Sequence, residues 1–168
     1  MDVSAALPPA VVIGVGNDHR RDDGVGWAVV AGLARSRNPA LLPHRTRLTC
    51  TDGDPAGLMN AWEGVRLAVV VDAAYARPAR PGRVHRLRLD GDLPPAPRGG
   101  AGTHGFPLGD TVRLARALDR LPGELLVYAV EAADTGFGTG LSPRVAAAVE
   151  PLVRRIEEDL ARQAPAGP

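Results

Sequence analysis

Short apolar runs alternate with longer segments of helical periodicity along the chain. Val11 to Gly16 is strand-like, and the segment from Val25 to Ala34 carries apolar side chains at helical spacing. A second strand is predicted over Arg47 to Thr51. A helix is predicted after it, because Pro55 suits the start of a helix and Gly64 suits its end. The first third of the chain is therefore predicted to run strand, helix, strand, helix.

The remaining segments continue this alternation with one change of period. The run Arg66 to Ala74 is almost wholly apolar, which is typical of a parallel strand covered by helices on both faces. Residues Pro81 to Asp90 alternate at period two, which predicts a half-exposed strand. Because it follows so closely, we expect it to run antiparallel to the strand before it. A helix over Leu108 to Leu121, a strand over Glu124 to Val130 and a helix over Ser142 to Arg162 complete the prediction.

This order of elements predicts an α/β fold. The expected architecture is a three-layer α/β/α sandwich on a mostly parallel five-stranded sheet with one antiparallel strand. We expect a single domain over residues 1–168, with its core over about 10–162 and a frayed tail over 163–168.

Composition and charge argue against several classes of protein. All 20 basic side chains are arginines, they nearly balance 19 acidic ones, and they are scattered, so no nucleic-acid surface is indicated. No apolar run approaches the roughly 18 to 20 residues that a membrane span needs, and the start of the chain is not basic like a signal peptide. The single cysteine, Cys50, excludes an internal disulfide and fits a reducing compartment. We therefore expect a cytoplasmic protein that binds neither nucleic acid nor membrane.

Acidic residues recur where the predicted parallel strands end. They are Asp22 and Asp23 after the first strand, Asp52 after the second, Asp72 closing the third, and Glu131 and Asp134 after the last. One histidine, His104, lies in a glycine-flanked loop. Ligands of such sheets bind outside the carboxyl ends of the strands. Two carboxylates and an imidazole there suit a divalent ion such as nickel, zinc or manganese, and predict a hydrolytic site.

Each candidate also has a structural explanation. A carboxylate at Asp22 or Asp23 can cap the following helix, and Asp52 with Gly53 forms a good turn. Asp72 can be a turn residue, and His104 can be a solvated loop residue. Cysteine is more commonly a small buried hydrophobe than a nucleophile, and we expect this of Cys50. The other histidines are expected at the surface: His19, His44 and His85.

The segment Gly14 to Gly26 (GVGNDHRRDDGVG) joins the first strand to the first helix. It is not a dinucleotide-binding loop, because His19 stands where a third glycine is needed and two adjacent carboxylates would repel a pyrophosphate. We expect Gly14 and Gly16 to permit a tight turn, in which Asn17 can tolerate a left-handed conformation.

Three motifs together resemble the hydrogenase maturation endopeptidase family. They are GVGNDHRRDDGVG with the later Asp52 and Gly53, VVVDAA at 69–74, and GTHGFPLGD at 102–110. They occur in order over nearly the whole domain, and GLSP at 140–143 resembles the family's approach to its last helix. Members of this family remove a short C-terminal peptide from the large-subunit precursor of nickel-iron hydrogenases. The resemblance implies an endopeptidase with such a precursor as its protein substrate.

The resemblance also implies roles for single residues. It assigns metal contact and catalysis to Asp23, Asp72 and His104, and leaves Asp22 to cap the helix. The implied metal is nickel, which the substrate supplies as a recognition element and the protease does not hold tightly; other divalent metals can substitute. The segment Asp18 to Arg21 departs from the family, where apolar residues are frequent, as does the arginine-rich segment over 77–88. Both departures bear on the identity of the partner.

Two other functions stay open at this stage. One is a hydrolase with its own resident metal, or a cysteine enzyme that uses Cys50. The other is a non-catalytic module that docks a metalloenzyme precursor, although a site without chemistry has no need of two carboxylates and a histidine. The sequence also leaves open whether the attacking water is activated by the metal or by one aspartate as general base.

Overall fold

A computed structural model describes residues 10–36, 46–89 and 108–163. These residues form five strands and four helices. The strands are β1 (Ala10–Val15), β2 (Thr46–Thr51), β3 (Leu67–Ala74), β4 (Val84–Leu89) and β5 (Glu124–Glu131). The helices are α1 (Val25–Ser36), α2 (Pro55–Trp62), α3 (Gly109–Ala117) and α4 (Pro143–Gln163). One turn of 3-10 helix, Arg21–Gly24, precedes α1 directly.

The strands form one mixed sheet in the order β2-β1-β3-β5-β4. The first four in this order are parallel, and β4 pairs antiparallel with β5. The predicted α/β class with a single antiparallel strand is confirmed. However, β4 does not lie beside β3, because β5 separates them. Strand β5 is buried almost throughout, which suits an inner position, whereas the half-exposed β4 suits an edge.

The helices cover both faces of the sheet, which confirms the three layers. Successive strand residues point to opposite faces. On one face Val12, Val69 and Leu126 pack against α1 and α4. On the other face Ile13 and Val70 pack with residues of α2 and α3. The two cores therefore fix the sheet rigidly below its carboxyl edge.

The helix boundaries differ from the prediction by a few residues. Helix α2 ends at Trp62, two residues before Gly64, and the Trp62 indole donates to the Arg120 carbonyl at 2.7 Å. Helix α3 ends well before Leu121, because Asp119 takes a left-handed conformation with φ of 54°. No helix among the described residues is long and apolar enough to cross a bilayer. The predicted loop that carries His104 lies outside the described residues, as do His44 and the last five residues of the predicted frayed tail.

Candidate active site

Two loops meet at the carboxyl edge of the parallel strands. We call residues 16–24, after β1, the first loop, and residues 132–142, after β5, the second loop. Backbone hydrogen bonds join them: Arg21 N–H donates to the Gly138 carbonyl at 3.1 Å, and Gly138 N–H donates to the His19 carbonyl at 2.9 Å. Asp22 N–H donates to the Asp134 carbonyl at 2.9 Å. The acidic pair of the first loop is therefore held against a segment more than a hundred residues away.

Asp22 is a buried anchor for the second loop. Its carboxylate is 0% exposed and accepts hydrogen bonds from Ala133 N at 2.8 Å and Asp134 N at 2.9 Å. It also accepts from Ser142 N at 2.7 Å and Ser142 Oγ at 2.5 Å, just before α4 begins. Burial acts to raise the pKa of Asp22, but these hydrogen bonds outweigh it and lower the pKa below its usual value. The prediction that Asp22 caps α1 was wrong, because its carboxylate is directed to the second loop and Ser142.

Asp23 has different surroundings from its neighbour. Its side chain is half-buried, its Oδ2 accepts from Asn17 N at 3.0 Å, and its Oδ1 accepts from the Tyr75 hydroxyl at 3.1 Å. Each carboxylate oxygen can accept two hydrogen bonds or ligands, so one direction on each remains for a further partner.

Asp72 lies inside β3, two residues before the strand ends, where it is paired with Ala129. Its side chain is only 5% exposed, and Oδ1 accepts from Ala73 N at 2.8 Å. Burial raises the pKa of Asp72 to about 7; the Ala73 hydrogen bond acts in the opposite direction, and the charge of Asp23 adds to the rise. The structure thus places Asp23 and Asp72 close enough for their charges to interact.

Tyr75 joins this pair, although sequence reasoning missed it. It is the first residue after β3 and is 45% exposed. Burial of the hydroxyl end and then the charge of Asp23 raise the pKa of Tyr75 to about 12, so the phenol stays protonated. The Thr135 side chain of the second loop acts in the opposite direction and lowers this pKa. Only its position directly after the strand that carries Asp72 could have drawn attention to it.

The third predicted ligand, His104, lies outside the described residues. Within residues 10–36, 46–89 and 108–163, no three histidine, cysteine or acidic side chains come together as a metal-binding group. Asp23 and Asp72 therefore provide two carboxylates, and a third donor for a metal must come from another part of the chain or from a bound substrate.

Glycines shape the first loop differently from the prediction. Gly16 makes the turn, with φ of 129°, and a side chain there would overlap the Asp23 carbonyl. Gly14 is part of β1, and a Cβ on it would lie 2.5 Å from the Gly26 carbonyl oxygen, so its role is close packing on α1. Asn17 is not left-handed; its side chain accepts from His19 N at 2.9 Å, and the left-handed residue of this loop is Arg21, with φ of 49°.

The Asp52-Gly53 pair acts as a turn. Exposed Asp52 accepts from Asp54 N at 3.1 Å, and Gly53 has a φ of 96°. Asp54 then caps α2 by accepting from Gly57 N at 2.8 Å. The structural explanation of Asp52 therefore accounts for all its described contacts.

The acidic residues at the end of β5 and just after it bind neighbouring segments of the chain. Glu131 is buried and binds Arg80 N at 2.6 Å and His85 Nε2 at 2.8 Å. The hydrogen bond from His85 lowers the pKa of Glu131 below its usual value, with help from Arg80 N–H. His85 was predicted at the surface; its side chain is partly exposed and is paired with this carboxylate. Asp134 contacts Arg21 Nε at 3.5 Å.

Comparison with known protein families identifies the family to which the chain belongs. The sequence model of the hydrogenase maturation protease family matches residues 52–159, which is more than half of the chain. The chain belongs to the hydrogenase maturation protease family. It is therefore a peptidase that acts on a protein substrate. The matched span includes Asp72 and begins after Asp23.

Solved structures of similar fold agree with this membership. The hydrogenase maturating endopeptidase HybD from E. coli superposes with a TM-score of 0.74 at 22% identity, over 93% of this chain and 94% of that one. The [NiFe] hydrogenase maturation protease HybD from Thermococcus kodakarensis gives 0.64 at 23% identity, over 91% and 99% of the two chains. At such identities the likeness concerns the fold. A search of curated proteins finds no match to the sequence.

In this maturation protease, Cys50 does not have the properties of an activated nucleophile. The prediction of a buried small hydrophobe was wrong, because Cys50 is exposed at the end of β2. Partial desolvation by its neighbours and then the charge of Asp18 raise the pKa of the Cys50 thiol above its usual value. Reactive cysteines need the opposite shift, so the thiol chemistry considered from the sequence has no support here.

Proposed function

We propose that this peptidase removes a short C-terminal peptide from the nickel-loaded large-subunit precursor of a nickel-iron hydrogenase. The observation that carries the proposal is the pairing of Asp23 and Asp72 at the carboxyl edge of the sheet, in a chain of this family. The reaction belongs in the cytoplasm, a reducing compartment in which Cys50 stays a thiol.

The chemistry of the pair favours a substrate that brings a cation. Asp72 is buried beside the charge of Asp23, and a nearby cation would favour its ionised form. Two carboxylate oxygens and the imidazole of His104 form a mixed donor set that suits a borderline ion such as nickel. In this proposal nickel is part of the substrate and supplies Lewis acidity when it is bound.

The protein's own residues then select and orient the substrate. Asp23, held by Asn17 and Tyr75, and buried Asp72 complete the coordination of the precursor's nickel together with His104. A precursor without nickel lacks these shared bonds and is bound weakly. The scissile bond near the C-terminus of the precursor is thereby placed beside the aspartates, which makes this an aspartate-dependent endopeptidase.

Mass spectrometry of the cleavage products tests this proposal. The purified protein is incubated with a precursor encoded beside it, either loaded with nickel or free of nickel. We expect a C-terminal peptide to be released from the nickel-loaded precursor only. Equal cleavage of both precursors would contradict nickel recognition, and cleavage of neither would contradict the proposed substrate.

Single substitutions test the assigned residues in the same assay. Asp23→Asn, Asp72→Asn and His104→Ala are each expected to slow cleavage by more than about 100-fold, since even the outer-shell partners of a metal site alter activity 10- to 100-fold. Asp119→Asn is the matched control, because Asp119 lies after α3 and asparagine tolerates its left-handed backbone. Normal cleavage by any of the three variants would remove that residue from the site.

A further inference from the structure

Tyr75 contacts the acidic pair, and neither the sequence motifs nor the proposed ligand set uses it. It follows β3 directly, so its backbone is fixed by the same strand that carries Asp72. Its ring is 45% exposed, yet its hydroxyl reaches across to donate to Asp23 Oδ1 at 3.1 Å. A solvent-facing tyrosine does not need a protein partner, so this contact calls for an explanation.

The hydrogen bond completes a two-sided support for Asp23. Asn17 N–H holds Oδ2 at 3.0 Å from the first loop, and Tyr75 holds Oδ1 from the end of β3. With only the Asn17 bond, the carboxylate could turn about its own side-chain torsions. With both bonds, the plane of the carboxylate is fixed relative to β3, and therefore relative to Asp72.

The second loop lies beside Tyr75. Its Thr135 side chain acts on the pKa of the Tyr75 hydroxyl, and Arg20 Nε donates to the Thr135 carbonyl at 3.2 Å. The same loop is fixed just before Thr135 by the carboxylate of Asp22, through Ala133 N and Asp134 N. Buried Asp22 therefore fixes the segment of the second loop that lies beside the Tyr75 hydroxyl.

We propose that Tyr75 is a positioning residue for the peptidase reaction, in which its hydroxyl fixes the carboxylate of Asp23 for contact with the substrate. The role of Asp23 in this statement rests on the function proposed above. Partners of this outer kind orient a ligand without touching the substrate, and their loss weakens binding more than it disturbs the fold.

The first test needs neither metal nor substrate. NMR three-bond couplings of the Asp23 β-protons report whether the side chain keeps one χ1 rotamer. We expect one rotamer in the wild-type protein and averaged rotamers in Tyr75→Phe, which removes only the hydroxyl. Thr139→Val, at an exposed threonine of the second loop, is the control and should match the wild type. A single unchanged rotamer in Tyr75→Phe overturns the inference.

The second test separates positioning from general stability. For nickel-loaded precursor we expect Tyr75→Phe to raise KM about 10-fold, the lower end of the outer-shell range, with kcat changed less than about threefold. A fall in kcat with KM unchanged, or no change in either, contradicts the inference. If the wild-type protein leaves the precursor uncut, the proposed function fails, and the rotamer measurement still decides the role of Tyr75.

Discussion

Asp22 and Asp23 are adjacent in sequence and have different tasks because their side chains meet different surroundings. Asp22 is enclosed by hydrogen-bond donors of the second loop, whereas Asp23 is half-buried beside Tyr75. An aspartate surrounded by N–H groups stabilises the fold in its charged form. An aspartate with accessible oxygens remains available to a ligand. Two consecutive residues thus provide one enclosed carboxylate and one accessible carboxylate.

Substitution of Asp22 by asparagine tests the anchoring role. Asparagine caps helices about as well as aspartate, so a capping residue would tolerate the change. An anchor that accepts from three N–H groups and one hydroxyl would not tolerate it. The side-chain NH₂ group of asparagine is a donor, and it would face the donors that now bind the carboxylate. We expect Asp22→Asn to lower the free energy of unfolding by about 2–3 kcal/mol in urea titrations. Asp18→Asn, on the exposed part of the same loop, is the control and should change it little.

The buried carboxyl of Asp72 predicts a pH dependence of the stability of the metal-free protein. Its pKa is about 7 in the folded protein and 3.8 when unperturbed. The folded state therefore binds the proton more tightly, and this contribution to stability is present at low pH and is lost as pH rises toward 7. Between pH 5 and pH 8, we expect the free energy of unfolding of the wild type to fall by about 2 kcal/mol relative to that of Asp72→Asn, which has no carboxyl to titrate at this position. A difference that does not vary with pH would contradict the burial of this carboxyl.

At the scale of elements, β1 and α1 approach so closely that only glycine fits between them. A Cβ on Gly14 would lie 2.5 Å from the Gly26 carbonyl oxygen, and a Cβ on Gly26 would overlap the Val71 carbonyl. This contact brings the start of α1 against the sheet and places the first loop directly above β3. The close packing of two backbones, not a flexible hinge, therefore sets the position of Asp23.

Alanine substitution measures this contact. Gly26→Ala forces backbone atoms apart, and we expect it to lower the free energy of unfolding by about 2 kcal/mol or more, as overpacked sites do. Gly57→Ala is the matched control in α2, where the nearest atoms to a new Cβ are 3.4 Å away and helix propensity favours alanine. Thermal unfolding of the two variants should shift in opposite directions or leave Gly57→Ala unchanged. Equal losses would show that the contact is not special.

Local sequence patterns predicted most of the helices and strands, but they did not predict the long-range contacts between side chains. The apolar run before Asp72 identified β3, because a strand buried on both faces carries apolar side chains at nearly every position. The partner of β4 was missed, since pairing depends on which strand lies inside the sheet. The hydrogen bond from Tyr75 to Asp23 joins residues 52 positions apart, and that from Ser142 to Asp22 joins residues 120 positions apart. Hydrophobic periodicity does not predict contacts between such distant residues.

At the scale of the whole molecule, the fold draws its stability from two apolar layers on either side of the sheet. On the α4 side, buried Asp159 accepts from the Tyr128 hydroxyl and from Arg86 Nε at 3.2 Å. Neither layer requires an ion for its described contacts. The acidic site lies at the rim, where a change of occupancy need not disturb the core.

This arrangement predicts that metal removal leaves the fold intact. Treatment with a chelator should leave the melting temperature unchanged, and the purified protein should carry far less than one metal ion per chain by elemental analysis. The proposal that nickel belongs to the substrate requires this result. A stoichiometric metal whose removal lowers the melting temperature would favour the alternative of a hydrolase with its own resident metal.

The anchor at Asp22 also sets an order of events during synthesis. The second loop is fixed only when Ala133, Asp134 and Ser142 have been made and bound to Asp22. A nascent chain that ends before these residues has both aspartates but lacks the donors that enclose Asp22. We therefore expect the two loops to reach their final arrangement only after the segment that leads into α4 has left the ribosome.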